Sequence, residues 1–358
     1  MTAVTVGARK SDQTEIVFGV DTHKDCHVVV VLSMLGALLG SRSFATTAAG
    51  HRNLLAWVET LGRVNRAGVD GTGSYGAGLA RSLRAAGVQV VEVNRPNRAM
   101  RRRRGKSDTV DAEAAARAVL GGEATVVPKR GDGPVEAVRV LKIAKDSAVK
   151  ARVQAINQLR AVLVNAEPAM REPLEKLALP QLVAHCAALH HDGPDPAEAA
   201  VADTLGRLSR RIQFLEAEIG DARRQMTVLV QRTAPDLLQV NGIGADSAAA
   251  LVIAVGDNPE RLRSEGSFAA LCGTSPVEAS SGKTRRRRLN RGGNRQANAA
   301  LFRAVLSRMR WEPATQKYVQ RRTADGLSKR EIIRCLKRYL ARTIYKILCP
   351  TCPQPTHP

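Results

Sequence analysis

Aromatic residues are scarce in this sequence, with two Trp, four Tyr and five Phe among 358 residues. Proteins that hold single-stranded nucleic acid without sequence preference stack the bases on a series of exposed rings. The shortage of rings argues against a binding surface of that kind.

Cysteine is also infrequent, and of the six cysteines only Cys349 and Cys352 form a C-x-x-C pair. A structural zinc site needs four ligands. No second cysteine pair is present, although His357 lies nearby. We therefore expect ordinary reduced thiols, and no metal site, in a short tail at residues 349–358.

Long apolar runs are missing as well. The longest, at 28–32 and 248–255, fall well short of the roughly 20 residues that a membrane-spanning helix needs. The first residues also lack the apolar core of a signal peptide. The sequence thus predicts a cytoplasmic protein with no membrane partner.

Acidic residues are outnumbered, with 33 Asp and Glu against 55 Lys and Arg, which gives a formal net charge of +22. Residues 95–106 and 283–295 each contain seven basic residues and no acidic residue. Such clusters repel themselves unless a polyanion is present. The charge therefore predicts an anionic partner, contacted through its phosphates by Arg and Lys.

The first third of the chain predicts a mixed sheet flanked by helices. Apolar runs separated by polar turns predict three successive strands at 16–20, 28–32 and 38–44. Two more strands, at 67–70 and 88–93, alternate with amphipathic helical patterns. A meander followed by alternating helices and strands is typical of a mixed α/β layer structure.

The middle of the chain predicts long helices. One helical pattern covers residues 135–165. A second has apolar residues spaced alternately by four and three, namely Val201, Leu205, Leu208, Ile212, Leu215, Ile219, Ala222, Met226 and Leu229. This heptad seam predicts a coiled coil. It could pair two protomers, or it could form one helix of a bundle within the chain.

A glycine-rich turn follows, in the stretch LLQVNGIGADSAAALVIAVGD. Helix, tight turn and apolar helix form the helix-hairpin-helix pattern, whose turn amides can bind a phosphate. A glycine turn between two packed helices, with no role in phosphate binding, explains the same sequence equally well.

Four aspartates stand where acids are unusual. Asp21 follows the apolar run IVFGV, and Asp70 ends another predicted strand. Asp108 and Asp111 are three residues apart and share one face of a predicted helix. Each could serve as a turn or helix cap. Together they predict an oxygen-lined pocket for Mg²⁺ or Mn²⁺, in the order that is typical of a ribonuclease-H-type nuclease.

The resemblance becomes specific over most of the chain, from about residue 16 to residue 345. It is carried by GVDTHKDCHVVVV, VDGTGSYGAGLARSLRAAGVQVVEVN, KSDTVDAEAAARA, LLQVNGIG and AALCGTSPVEASSGKTRRRRLNRGGNRQANAAL. These stretches, in this order, resemble the insertion sequence 110 family of transposases, also called DEDD transposases or bridge-RNA-guided recombinases.

The resemblance implies a fold in three parts. Residues 14–128 would form a RuvC/RNase H-like catalytic domain with a mixed α/β sheet, and residues 129–233 a helical coiled-coil segment. Residues 234–348 would form a mainly α-helical C-terminal transposase domain, which contains the helix-hairpin-helix and a catalytic serine.

The resemblance also assigns the acids. Asp21, Asp70, Asp108 and Asp111 would be catalytic and would coordinate Mg²⁺ or Mn²⁺. The second position is usually Glu in the family, and Asp70 is shorter by roughly 1.5 Å, about one C–C bond. We expect reduced or retuned activity from this change, because Asp remains a competent oxygen ligand.

The family's catalytic serine falls in EASSGKT, where Ser281 is the best match and Ser280 the alternative. It is thought to attack a DNA phosphate and to form a transient phosphoserine link. From the residues alone, Ser-Ser-Gly is a turn, and a serine hydroxyl needs assistance to act as a nucleophile. No His or Lys base can be assigned, although Lys283 is close in sequence.

The partners that the resemblance implies are double-stranded donor and target DNA, a non-coding guide RNA that selects sequence by base pairing, and further copies of the chain, as dimers that meet in a tetramer. The host would be bacterial or archaeal, with the protein at the nucleoid. The predicted nucleic-acid-binding residues are Arg101, Arg102, Arg103, Arg104, Lys106, Lys283, Arg285, Arg286, Arg287, Arg288, Arg291 and Arg295.

Two other functions remain open for these residues. A metal-dependent junction nuclease would use the four acids without the serine. A basic nucleic-acid-packaging protein would use neither the acids nor the serine.

Overall fold

A computed structural model of the protein describes residues 14–93, 107–190, 195–283 and 287–350. The chain divides into two compact units. The first comprises the residues up to Asp132 together with Gly256–Arg261, and the second comprises Gly133–Val255 and the residues from Leu262 onward. The arginines at 101–104, Lys106, Arg285, Arg286 and Cys352 lie outside the described residues.

The first unit is a mixed sheet with helices, as the sequence predicts. Its elements are β1 (Glu15–Thr22), β2 (Cys26–Ser33), β3 (Leu38–Ala45), α1 (Ala48–Leu61), β4 (Arg63–Asp70), α2 (Ala77–Ala85), β5 (Gln89–Val93) and α3 (Asp108–Leu120).

The five strands lie in the order β3-β2-β1-β4-β5. Strand β1 pairs antiparallel with β2 and parallel with β4, and β4 pairs parallel with β5. Val20 of β1 is in register with Val69 of β4. The next residues, Asp21 and Asp70, therefore lie side by side at the carboxyl ends of two parallel strands.

Alternation along β1 assigns its residues to the two faces of the sheet. Ile16, Phe18 and Val20 share a core with residues of α1 and α2. Val17 packs on the opposite face against Ala112 and Ala116 of α3. Because successive side chains alternate, Gly19 and Asp21 lie on the face that α3 covers.

Helix α3 comes very close to the sheet because glycines stand beneath it. A Cβ on Gly19 would lie 2.1 Å from the Ala112 carbonyl oxygen, and one on Gly68 would lie 2.8 Å from that of Ala115. The helix starts at Asp108, where the Ser107 side chain caps it by accepting a hydrogen bond from the Val110 amide at 3.3 Å. Gly19 and Gly68 thus set the position of the Asp108 end of α3.

We expect Gly19→Ala to destabilise the first unit by about 3 kcal/mol, the upper part of the range for overpacked cores. The added Cβ would meet two backbone atoms of α3 at 2.1 and 2.2 Å, and a helix backbone cannot turn aside as a flexible side chain can. Thermal unfolding of the full chain measures the loss.

Gly73→Ala is the matched control for that prediction. Gly73 lies in the turn after β4, and a Cβ there would meet nothing within 4 Å. We expect a change within about 0.5 kcal/mol, as for other surface substitutions. Equal losses in the two variants would contradict the close packing of α3.

The second unit is helical, apart from one small hairpin. Its elements are α4 (Pro134–Val164), α5 (Pro168–Glu175), α6 (Leu179–Ala187), α7 (Pro196–Thr233), α8 (Pro235–Leu238), α9 (Ala245–Val255), α10 (Glu265–Leu271), β6 (Pro276–Glu278), β7 (Arg287–Leu289), α11 (Arg295–Trp311), α12 (Pro313–Ala324) and α13 (Lys329–Leu348).

The heptad seam lies on α7, and the structure covers it within the chain. Leu205 and Ile212 share a core with Leu159 of α4 and with residues of α5 and α6. Met226, near the end of α7, shares another core with Val138 at the start of α4. The seam therefore belongs to a helix of a bundle within the chain, the second of the two predicted alternatives, because apolar residues of α4 pack against it. Pairing of two protomers through the seam is not shown.

The second core includes the C-terminal helices as well, so the division predicted at residues 233 and 234 runs through it. Met226 lies in the same cluster as Leu251 of α9, Leu301 of α11 and Leu340 of α13. Cys349 is fully buried in this cluster too, consistent with a packed thiol.

The glycine turn between α8 and α9 is tightly packed. Gly242 has φ +82°, and a Cβ there would lie 2.7 Å from the Ala304 carbonyl oxygen of α11. Packing alone therefore accounts for this glycine, and phosphate binding by the turn remains a prediction. No helix in the described part of the chain is long and apolar enough to cross a bilayer.

Candidate active site

The candidate metal-binding group lies where β1 ends and α3 begins. Asp21, His23 and Asp108 each place one donor atom within 4.8 Å of the other two. His23 Nε2 is 3.1 Å from Asp21 Oδ2 and 3.4 Å from Asp108 Oδ2. Asp21 is only 9% exposed, whereas the Asp108 side chain is more than half exposed. The group is therefore buried on one side and open on the other.

Asp70 ends the neighbouring strand β4. Its Oδ1 accepts a hydrogen bond from the Gly71 amide at 2.8 Å, and its carbonyl oxygen accepts one from Thr22 Oγ1 at 3.0 Å. The bond from Thr22 links the ends of β1 and β4. Among the described residues, the donor atoms that meet within 4.8 Å are those of Asp21, His23 and Asp108. Asp70 and Asp111 lie outside this group.

Asp70, Asp108 and Asp111 nevertheless act electrostatically on Asp21. Burial raises the pKa of Asp21, and the charges of Asp111, Asp108 and Asp70 raise it further, while His23 lowers it. The negative charges of these three carboxylates repel that of Asp21, and a bound cation would relieve the repulsion. A perturbed carboxylate in such a cluster also marks a candidate functional site.

Ser281 lies in the second unit, on the loop of the β6–β7 hairpin, and is exposed. The next residue, Gly282, has φ +54° and open space around it. Ser280 is also exposed, and its Oγ donates a hydrogen bond to Glu278 Oε1 at 3.0 Å. Both serines therefore lie in the loop of the hairpin where solvent reaches them.

Two family models match this chain. A transposase model of the IS110 DEDD type matches residues 18–168, and a model described as the transposase IS116/IS110/IS902 family matches residues 234–320. Together they cover more than half of the sequence, including the acids of the first unit and the serine hairpin of the second. The chain belongs to the IS110 family of transposases.

A relative from Streptomyces coelicolor, described as an insertion element IS110 uncharacterized 43.6 kDa protein, is 27% identical over 150 residues. The matched part is 42% of this IS110-family chain and 36% of that protein. The chain therefore spans about a third of the length of this relative.

His23 is the residue of this IS110-family site that sequence reasoning missed. It lies in DTHKD, which is a turn from its composition, and a single histidine in a turn carries little signal. Its position two residues after Asp21 keeps it at the same strand end, and that spacing is the only local sign of its role.

Five of the predicted nucleic-acid-binding residues of the IS110-family chain are described, and they lie on or soon after the serine hairpin in the sequence. Lys283 lies in its loop, Arg287 and Arg288 lie on β7, and Arg291 and Arg295 lead into α11; all five are exposed. They give the hairpin and the segment after it a positive charge. The other predicted nucleic-acid-binding residues fall outside the described ranges.

Proposed function

We propose that this chain is a DNA transposase that excises and inserts an insertion sequence by breaking and rejoining phosphodiester bonds. The observation that carries the proposal is the convergence of Asp21 and Asp108, with His23 between them, in a chain of the IS110 family. The mixed sheet, with its three antiparallel strands followed by two parallel ones, supports the RuvC-like fold that the resemblance implies.

The donor set fits Mg²⁺ or Mn²⁺. Carboxylate oxygens suit both ions. Burial, together with the charges of the other three aspartates, raises the pKa of Asp21, so a bound cation would favour its charged form. Asp21 and Asp108 would hold the ion, with His23, Asp70 and Asp111 beside them. When bound, such an ion supplies Lewis-acid stabilisation of the negative charge that develops on a phosphate under attack.

Ser281 is the proposed nucleophile. Its Oγ would give up its proton and form a bond to phosphorus, while the bond from phosphorus to one deoxyribose oxygen breaks and that oxygen takes up a proton. A different deoxyribose hydroxyl then attacks the phosphoserine, which restores the serine and joins the new strand. No oxidant or external energy source is needed, because one phosphoester bond replaces another at each step.

Sequence choice is proposed to rest with a structured guide RNA that pairs with both donor and target DNA. The basic clusters supply contacts to its backbone without reading its sequence. Strand exchange also needs several active sites, so dimers that meet in a tetramer belong to the proposal. Because the α7 seam is covered within the chain, protomers would have to meet through other surfaces.

An excision assay tests the proposed function, with a plasmid that carries the element and RNA transcribed from its flanking sequence. We expect excision in Mg²⁺ or Mn²⁺, none after chelation with EDTA, and recovery when the ion is returned. Digestion of the RNA before mixing should also abolish excision. Excision that persists in EDTA would contradict the metal-dependent mechanism, and excision after complete RNA digestion would contradict RNA guidance.

A further inference from the structure

A lysine is buried in the second unit beside the serine hairpin. Lys337 of α13 is only 7% exposed, and its Nζ donates a hydrogen bond to Asn298 Oδ1 at 3.0 Å. The Asn298 amide donates from Nδ2 to the carbonyl oxygens of Cys272, at 2.7 Å, and Gly273, at 3.2 Å. These two bonds fix the amide so that its oxygen faces the lysine. A neutral acceptor satisfies one ammonium donor and leaves the charge uncompensated.

Within the described ranges, no carboxylate forms an ion pair with Lys337. Glu331, the acid closest along α13, accepts hydrogen bonds at the start of that helix. Glu265 pairs with two other arginines of α13. Burial, and then the nearby Arg334, lowers the pKa of Lys337. A buried cation without a counterion is costly, and such groups are ordinarily paired or functional.

Lys337 stands in the walls of two cavities, of about 370 and 500 Å³. Gly273 and Leu289 line both cavities as well. The other charged or amide side chains in the walls are Arg287, Arg288, Glu331, Arg334 and Arg338 in the first cavity, and Asn290, Arg291, Arg295 and Asn298 in the second. Among the described residues in these walls, Glu331 is the only acid, so both cavities carry positive potential that attracts an anion.

The backbone around Lys337 is held firmly. Gly273 has φ +64°, and a Cβ on Gly293 would lie 2.3 Å from the Gly273 nitrogen, so two loops touch through their backbones. The Asn294 amide also donates to the Leu271 carbonyl oxygen at 2.6 Å. Helix α11 begins next, at Arg295, with the positive end of its dipole at the second cavity. An anion would enter a site that is already organised.

We propose that Lys337 and the arginines around it bind one backbone phosphate of a nucleic-acid strand and thereby position that strand beside the Ser281 hairpin. The first cavity lies directly beside the hairpin, because Arg287, Arg288 and Leu289 line that cavity and also form strand β7. The phosphate supplies the counterion that the buried lysine lacks. Lys337 is thus a positioning residue, and its link to the serine rests on the proposed function.

The test compares Lys337→Met with Lys346→Met, which removes an exposed lysine from the same helix. Fluorescence anisotropy measures the binding of the full chain to a short labelled DNA duplex and to a labelled RNA of the same sequence, over a series of salt concentrations. For Lys337→Met we expect affinity to fall about tenfold or more and the slope of log K against log salt to fall by about one. Lys346→Met should lose clearly less.

The two probes distinguish the strand involved. A loss confined to DNA assigns the phosphate to the donor or target, and a loss confined to RNA assigns it to the guide. Unchanged binding by folded Lys337→Met would overturn the proposal. Equal losses in Lys337→Met and Lys346→Met would also overturn it, because the effect would then follow net charge alone.

A second variant keeps the test decisive if Lys337→Met does not fold. Arg288→Gln with Arg334→Gln changes two exposed side chains of the first cavity. It should weaken binding and lower the salt slope by about two, and unchanged binding would refute the pocket. These measurements need neither metal nor cleavage. If the wild-type chain fails to excise DNA while these losses are observed, the proposed function fails and the pocket stands.

Discussion

Asp21→Asn should abolish excision and leave the chain folded. The carboxylate lies at the end of β1, 9% exposed, with His23 Nε2 3.1 Å from its Oδ2. Asparagine keeps the shape but carries no negative charge, so the group would lose its buried anionic ligand. We expect a loss of about a thousandfold or more, comparable with the removal of a key electrostatic group from an active site.

The same change should not lower the melting temperature. Burial and the neighbouring carboxylates raise the pKa of Asp21, which means that its charge is unfavourable in the folded chain without a cation. Thermal unfolding in EDTA should therefore show Asp21→Asn to be at least as stable as the wild type. In Mg²⁺ the wild type should gain more stability than the variant, because it binds the ion more tightly.

Asp25→Asn is the matched control. Asp25 is an exposed acid in the turn between β1 and β2, four residues beyond Asp21. It should keep wild-type excision and wild-type stabilisation by Mg²⁺. Full activity in Asp21→Asn would remove the acid group from the mechanism, and a basic packaging protein would then account for the chain's charge.

Ser281→Ala should also abolish excision, because no phosphoserine link can form without its hydroxyl. Ser280→Ala is the control at the adjacent position. Its Oγ is held by Glu278 Oε1 at 3.0 Å, so we expect that variant to retain most activity. Excision and strand cleavage are measured separately, with DNA whose breaks can be resolved by length.

The two serine variants also distinguish a transposase from a metal-dependent junction nuclease, because the nuclease would use the acids and not the serine. If Ser281→Ala still cleaves DNA but Asp21→Asn does not, the nuclease explains the chain better. If Ser280→Ala is inactive and Ser281→Ala is active, the nucleophile is Ser280. Both variants should bind DNA and RNA as the wild type does, since neither removes a charge.

Much of the first unit follows from local sequence. Apolar runs between polar turns and helical patterns specify the five strands, and Ser107 with Gly121 and Gly122 specifies both ends of α3. Asp21 and Asp70 are recognisable because each acid ends an apolar strand. These features are readable because they depend on neighbours within a few residues along the chain.

The heptad on α7 shows the limit of such patterns. The heptad spacing establishes that one face of the helix is apolar. It does not establish which surface packs against that face. Here α4 covers it within the same chain, as the shared cores of Leu205 with Leu159 and of Met226 with Val138 show. The sequence alone left that alternative open beside an interchain coiled coil.

By itself, then, the sequence determined the elements, the excess of positive charge, the aspartates at the strand and helix ends and the membership of a family. Only the tertiary structure decided which atoms meet. It brought His23 between Asp21 and Asp108, and it buried Lys337 against Asn298 with no carboxylate partner among the residues that the structure describes. The physical reason is that these meetings depend on close backbone approach, such as α3 over Gly19, and no local pattern encodes the distance between segments far apart in the chain.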